Sequence, residues 1–496
     1  MPSERSKACP IRKSEQGQAV LPVLAAASVL LMGAAGFAVD LSNLYFQRQM
    51  AQAAADAAAQ AAMMSIFDGT NTAGAAAFST GGSFTCGASD ARTPCQYAQW
   101  NGFGTSADTV TVSFPSSIAG VSSAKLSPSD PVNLVHVVVQ RTVSTTLLKL
   151  LGSASSTAGA AATAAIVTVT SPSPILVTDP NNDSGTFNCG GNCSITICGG
   201  PSRGIQVNSS SPAAISIGGS ASVDLSKAGP NDPGNCTTGT GADFGAWGGP
   251  ASAPGGLNLG STGQYVQPAS PVQDPLAGVS PPPVPTVTDP PKTSLAVGGG
   301  GCPASASEGC TLYSPGLYTS GIQVKQTMAL FKPGIYYIQN GGFSIGALGD
   351  MEMATGYTDD SSGTNTGWTG NMLVYSAGKF DLAAANSTAN LVGSPIGSAY
   401  QGILFFEDRS AASQTHSLGG GGGISLKGTI YLTNSLAKMT GSSPQLQTLN
   451  LGGNSGSSTL IQGEIVVSWL NVGGTGGVQM DLTTNAVQIR QVALVQ

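Results

Sequence analysis

The chain has 496 residues, room for two to four domains that each bury a core. Only 9% of them are charged, against about 25% in an ordinary soluble protein, and 68 glycines stand in their place, which favours tightly turned neutral β structure over charged helices. The net charge of −6 provides no basic face, so nucleic acid is excluded as a partner.

Residues 1–18 are a polar tail carrying Arg5, Lys7, Arg12 and Lys13. An uncharged apolar run follows at residues 19–39. As a helix it rises about 30 Å, the thickness of the hydrocarbon core of a bilayer. Beyond it the next fifty residues offer only Arg48 as a cation, so the positive-inside bias predicts a cytoplasmic N-terminus and an exported remainder. Two other leaders compete with an uncleaved anchor. Gly33-Ala34-Ala35 supplies small residues for a signal peptidase, but the apolar run is longer than the usual core of a signal peptide. Gly17 precedes the run as in a prepilin, yet Pro22 stands where such leaders carry an acid.

The helical pattern continues without a break. No Gly or Pro occurs from Phe37 to Asp68, and nine of the twelve residues 51–62 are alanine, the strongest helix former. Gly69 then stands where a helix C-cap is expected. An alanine face permits close approach of another helix, including a second copy of this one, or of the domain's own sheet. Both remain open from the sequence.

Three stretches in this region carry a family resemblance: Glu15-Gln16-Gly17-Gln18-Ala19-Val20, Val39-Asp40-Leu41-Ser42-Asn43-Leu44-Tyr45 and Gln49-Met50-Ala51-Gln52-Ala53-Ala54-Ala55-Asp56. In that order around an apolar span they resemble the N-terminal region of TadG-like proteins of the Tad (Flp) pilus machinery. A weaker likeness continues at Val137-Val138-Val139-Gln140-Arg141 and at Leu147-Leu148-Lys149-Leu150-Leu151-Gly152. The resemblance implies an inner-membrane protein whose partners are other Tad pilus proteins. Some relatives carry a von Willebrand A domain, but Asp40-Leu41-Ser42-Asn43-Leu44 lacks the second Ser of the DxSxS metal motif and lies on the helix. No metal site is expected there.

Of nine cysteines, Cys9 lies in the tail, while Cys86, Cys95, Cys189, Cys193, Cys198, Cys236, Cys302 and Cys310 lie beyond the apolar run. An even number there predicts disulfides in an oxidising compartment, with Cys86–Cys95 and Cys302–Cys310 as local pairs and the other four unassigned. Cys189, Cys193 and Cys198 lack a Cys-x-x-Cys unit and have no His nearby, so no metal is expected.

Residues 69–108 read as loop. Strands follow at residues 109–114, 133–139 and 165–169, which with the long helix make a small α+β, pilin-like module over residues 69–170. His136 falls in the middle of the second strand and reads as a strand residue, not a ligand. From residue 171 the texture changes to short alternating runs such as Gly204-Ile205-Gln206-Val207, each too short to bury a face alone. Residues 268–291 hold nine prolines and read as an extended connector between a β-rich region, 171–267, and a second one, 292–496. In the latter Pro315-Gly316-Leu317-Tyr318 returns as Pro333-Gly334-Ile335-Tyr336, and Gly321-Ile322-Gln323-Val324 repeats the run at Gly204. Strand, tight turn and strand at near-regular spacing predict the coils of a parallel β-solenoid, with packed β-sandwiches as the alternative. The segment around Tyr400-Gln401-Gly402-Ile403-Leu404-Phe405-Phe406 resembles the C-terminal β-helical regions of many TadG-like proteins.

Carbohydrate hydrolysis or lysis on such a scaffold needs two or three carboxylates, or a carboxylate with Lys or Arg, converging on one face. The densest candidates are Glu407-Asp408-Arg409, with Asp350, Glu352, Asp359, Asp360, Lys379 and Asp381 elsewhere. In a strand Glu407 and Arg409 would share a face that Asp408 does not. His416 precedes the run of glycines 419–423, which lacks the Lys-Ser/Thr of a phosphate loop and reads as a flexible loop. No catalytic, cofactor or metal residues are assigned. The fold class expected is mainly β with one long N-terminal α-helix, and the function expected is a non-enzymatic, membrane-anchored envelope component. The alternative is a secreted β-helical adhesin or carbohydrate-active enzyme that uses the same segment as a signal.

Overall fold

The computed structural model describes residues 20–67, 69–72, 74–122, 126, 132–146, 148–306, 308–354, 371–394, 398–419, 422–453, 458–474, 477–482 and 488–496. They divide into two units: one built from residues up to 124 with 132–166 and 492–496, the other from 125–131 and 167–491.

The first unit is dominated by one helix, α1, Val20–Phe67, whose 48 residues rise about 72 Å. Pro22 does not interrupt it, because a proline in the first turn removes an N–H that has no intrahelical partner anyway. Gly69 ends the helix as expected, with φ at +78° and its N–H donating to Ile66 O at 3.3 Å. The sheet of this unit is antiparallel and meanders through β1 (Phe84–Thr85), β2 (Asp108–Ser113), β3 (Leu134–Ser144) and β4 (Ser155–Thr170). Register places Val110 and Val112 opposite Val139 and Val137, which lie in turn opposite Ala160 and Ala162. Directly paired residues share a face, so valines and alanines form one apolar side.

Within the stretch expected to be loop, residues 93–100 form a second helix, α2, opening with Pro94 in its first turn. Its burial comes from Cys95, which is bonded to Cys86, and from Ala98, so a disulfide and packing against α1 supply what its weak helical periodicity did not show. The last residues of the chain return to β4, where Val495 N donates to Thr163 O at 2.8 Å and Thr163 N donates to Gln496 O at 2.9 Å.

The second unit is built from short strands that succeed one another around three sheets. A coil begins with Ile175–Val177, Phe187–Cys189 and Ser194–Gly199; the next, Arg203–Val207, Ile215–Ile217 and Ser222–Ala228, lies parallel and in near register on it. The same succession runs from residue 310 to residue 482, each coil pairing in parallel with the one before. Thr293–Leu295, antiparallel to Cys310–Tyr313, covers that end. Parallel pairing along all three sheets is the pattern of a β-solenoid-like body and not of antiparallel sandwiches.

The order of coils is not the order of the sequence. Ile465–Val467, Trp469–Gly474 and Gly477–Leu482 pair with Ile175–Val177, Phe187–Cys189 and Ser194–Gly199, so the last coil is laid on the first. The coils of residues 175–266 and 310–482 therefore share one stack, the expected region 292–496 gives its last strand to the first unit instead, and the proline-rich connector runs back along the stack from one end to the other. Having few N–H groups of its own, the connector is held by side chains of the coils it passes. Asn208 exchanges two hydrogen bonds with the backbone of Val272, at 2.7 and 3.0 Å. Arg409 donates to Val279 O at 2.6 Å and to Leu276 O, and Leu317 brackets Val287 and Asp289 with backbone bonds of 2.8 and 2.7 Å.

Inside the stack the inward side chains form one continuous apolar core. Phe343, Phe380 and Phe405 lie on successive coils, with Phe405 5.0 Å from Phe380 and 5.9 Å from Phe343 between ring centroids. Such contacts add to area burial. Truncating Phe405, which is fully buried, leaves a cavity that flat parallel coils cannot close. Phe405→Ala is expected to cost about 3–5 kcal/mol, read as a lowered denaturant midpoint by circular dichroism, with the near-ultraviolet aromatic signal reporting loss of the stack.

Candidate membrane anchor and exposed groove

The helix α1 has two halves of opposite character. In the first, Leu21, Val23, Leu24, Val29, Leu30, Leu31 and neighbours stand 63–77% exposed, and the segment is long and apolar enough to cross a bilayer. In the second, Ala51, Ala54, Ala55, Ala58, Ala59, Ala62 and Met63 are fully buried. Their spacing of three and four residues is one helical stripe, and it lies over β3 and against α2. Of the two uses that the alanine face allowed, the structure takes the second: the face covers the domain's own sheet.

The junction of the halves is fixed by polar contacts. Asp40, buried on the helix, accepts the backbone N–H groups of Thr146 and Leu148, both at 2.9 Å. Two turns further out Gln47 accepts from Arg141 at 3.1 Å, while the same guanidinium is forked onto Asp108 at 2.6 and 3.1 Å and lies over the ring of Phe103. Its hydrogen bonds hold the Asp108 carboxyl well below the usual range although burial opposes them. Asp40 thus clamps the connection between β3 and β4 to the helix.

All eight cysteines beyond the apolar span are paired: Cys86–Cys95 and Cys302–Cys310 as expected, with Cys189–Cys193 and Cys198–Cys236 completing the set. Two cysteine-carboxylate groupings, with Asp90 and with Asp481, have both sulfurs tied in a disulfide and so keep one carboxylate each as an ordinary ligand.

Among the described residues the candidate catalytic carboxylates do not converge. Glu407 ends its strand pointing inward and is fully buried, with Gln414 donating to Oε1 at 3.0 Å. His416, equally buried, accepts the N–H of Phe380 on Nδ1 at 3.1 Å, and its Nε2 stands 3.2 Å from Glu407 Oε1 without completing a hydrogen bond. Burial raises the Glu407 carboxyl above its usual range. Asp408 instead lies on the turn, accepting the N–H and hydroxyl of Ser410 at 2.8 and 2.7 Å, and Arg409 clamps the connector. Asp350 accepts from Thr388 at 2.6 Å, Lys379 pairs with Asp381 at 2.7 Å on the surface, and burial raises the Glu352 carboxyl. Asp359 and Asp360 lie outside the described residues. His136 shares a hydrogen bond with Thr163 at 2.9 Å across two strands.

Sequence reading missed the His416–Glu407 pair, because the glycine run beside His416 suggested a loose loop. Gly419 and Gly422 are in fact sites of close coil contact: a Cβ would meet Gly452 O at 1.5 Å and Ser387 O at 1.8 Å. It also missed Glu464, sealed in the core with Ser171 as its hydrogen-bond donor; burial pushes its carboxyl up to about 8.

The second unit carries a shallow groove of about 710 Å³ along one sheet. Asn188, Asn471 and Asn450 stand in register on three neighbouring strands, with Asn471 donating to Asn450 at 3.2 Å, and glycines flank them. Among the described residues no titratable side chain lines it, and these residues offer amide and hydroxyl hydrogen bonding.

With this geometry in view, comparison with known families assigns the helix. Residues 17–65 match the family described as Putative Flp pilus-assembly TadE/G-like. This stretch is similar to a Tad segment. The match covers the apolar half of α1 and its alanine face, and extends no further along the chain. Searches of curated proteins and of solved structures returned no match. The Tad segment and the membrane-competent helix together support a membrane-anchored component associated with Tad pili, held by a single pass.

Two outcomes test these placements. Ala58→Leu adds volume where the Tad helix meets its sheet, and is expected to destabilise the first unit by about 1–3 kcal/mol, seen as earlier thermal unfolding and faster cleavage there by protease. Glu464 is neutral in the fold and ionised in the unfolded chain between about pH 4.5 and 8. The folded state therefore holds the extra proton, and stability falls as pH rises through that window. Glu464→Gln is expected to flatten this slope, measured by unfolding midpoints across the pH range.

Proposed function

We propose that this protein is a non-enzymatic component of the Tad pilus machinery that crosses the inner membrane once, with its N-terminus in the cytoplasm and its β-rich body on the outer side. The observation that carries this reading is the division of the Tad helix, apolar and exposed over residues 21–39, buried by its own module from residue 51. Orientation is supported by Arg5, Lys7, Arg12 and Lys13 on one side of the span against Arg48 on the other, and by four disulfides on the same side as the body.

The body serves structural or adhesive contacts with protein or glycan. Support comes from the scatter of the candidate carboxylates and from an exposed groove lined by amides and glycines. The Tad partners would be met through surfaces other than the alanine face, which the module itself covers.

Membrane fractionation with a carbonate wash, followed by N-terminal sequencing, tests the anchor. The expected result is an intact chain in the integral fraction, whereas a soluble mature chain starting near Gly36 would point to a secreted protein. Alkaline phosphatase joined after Gln496 is expected to be active, and an inactive fusion would reverse the assigned orientation.

A further inference from the structure

The apolar span of α1 ends at Val39, and the carboxylate that follows it is not left to solvent. Asp40 accepts two backbone N–H groups, from Thr146 and Leu148, each at 2.9 Å. These donors belong to the connection between β3 and β4, which is closed by Thr145, its N–H donating to Ala154 O at 3.2 Å and its hydroxyl to Ser153 O. A 3-10 turn, Leu148–Leu151, forms the tip. The two hydrogen bonds hold the tip beside the helix at the level of residue 40, the edge of the exposed apolar span.

The composition of that tip is the reverse of what water asks of a hairpin end, where Gly, Asn, Asp and Ser prevail. The sequence of the tip, Leu148-Lys149-Leu150-Leu151, holds three leucines and one lysine; Leu148 is half-buried and Lys149 is exposed. Two more apolar side chains stand just outward on the helix, Tyr45 and Phe46, 66% and 60% exposed. Tyr45 lies about 7.5 Å along the axis from Asp40, and the headgroup layer outside the hydrocarbon is about 5–7.5 Å deep. Helical side chains lean toward the N-terminus, here toward the lipid, so both rings reach back into that layer. Amphipathic aromatic rings favour this depth, and exposed Lys149 supplies a cation at the level of lipid phosphate.

We propose that the tip at Leu148–Leu151, clamped on Asp40, forms with Tyr45 and Phe46 a collar that lies in the outer headgroup layer of the phospholipid bilayer crossed by α1. The inference rests on the anchor reading. A single helix leaves a module free to tilt and rotate over the membrane; a second contact, off the helix axis, holds the first unit at one inclination. Asp40 is what makes the contact tolerable, because its charge meets two N–H donors at the point where hydration falls away.

The test uses the full chain in vesicles of phosphatidylcholine and phosphatidylglycerol, with tryptophan introduced separately by Leu148→Trp and Tyr45→Trp. The emission added over the parent protein is read against brominated phosphatidylcholine and against aqueous acrylamide. Both added signals are expected to be blue-shifted, lost largely to lipid brominated near the headgroup, and little affected by acrylamide. Should Leu148→Trp fail to fold, Lys149→Trp places the reporter on the same turn. Carbonate-resistant protein whose added tryptophans are quenched by acrylamide and spared by bromolipid would overturn the collar while leaving the anchor standing. Release of the protein by carbonate would overturn both.

Discussion

The pairing of the last coil with the first governs the second unit. Because residues 465–482 hydrogen-bond in parallel to residues 175–199, the stack cannot be built by simple addition from one end. The chain must begin in the middle, coil toward one end, cross to the other, and coil back. The connector follows from that requirement, and so do its proline content and its fastening. A segment that has to travel along the flank of a sheet without joining it does best with few free N–H groups, and Asn208, Arg409, Tyr431 and Leu317 supply the bonds it lacks. Close stacking also explains the glycines. At Gly419, Gly422 and Gly378 a Cβ would lie within 2 Å of a backbone oxygen of the adjoining coil.

The first unit depends on a different constraint, the small size of alanine. Six alanines and Met63 form a stripe that lets the outer half of α1 settle onto a face of valine and alanine, so the exposed inner half is carried rigidly on a packed module. The same residues that would favour helix-to-helix packing are thereby closed to it. Polar contacts by Asp40, Gln47, Arg141 and Asp108 fix the register of helix on sheet at the boundary between the two halves. In connectivity the β-rich body is an insertion into this module, since the final residues come back to pair with β4.

Two carboxyls raised by burial lie in the sealed interior of the body. Glu407, His416 and Glu464 are fully buried, and desolvation is the largest influence on both carboxyls. Perturbed carboxyls often mark active sites. Here Glu407 and Glu464 are sealed among stacked coils, whereas Asp274, whose carboxyl burial also raises, lines a cavity of about 470 Å³ beside Arg409. The described residues along the larger groove include no titratable side chain. The proposed non-enzymatic role rests on the scatter of the described candidate carboxylates.

Much of this was legible in the amino-acid order because it depends on neighbours in sequence. The length of the apolar run, the charge bias across it, the alanine helix and its end at Gly69, the short strands of a mainly β body and the two close cysteine pairs are all local properties. Tertiary structure decided what lies opposite what. Which partner the alanine stripe covers, how Cys198 finds Cys236, why residues 93–100 become helical, and that residue 482 lies beside residue 199 each depend on contacts across long separations. The His416–Glu407 pair shows the limit best: the glycines beside His416 read as a loop, and only the neighbouring coil made both side chains interior. A period of two says which residues share a face, and the energy of burying that face is settled by whatever chain arrives to cover it.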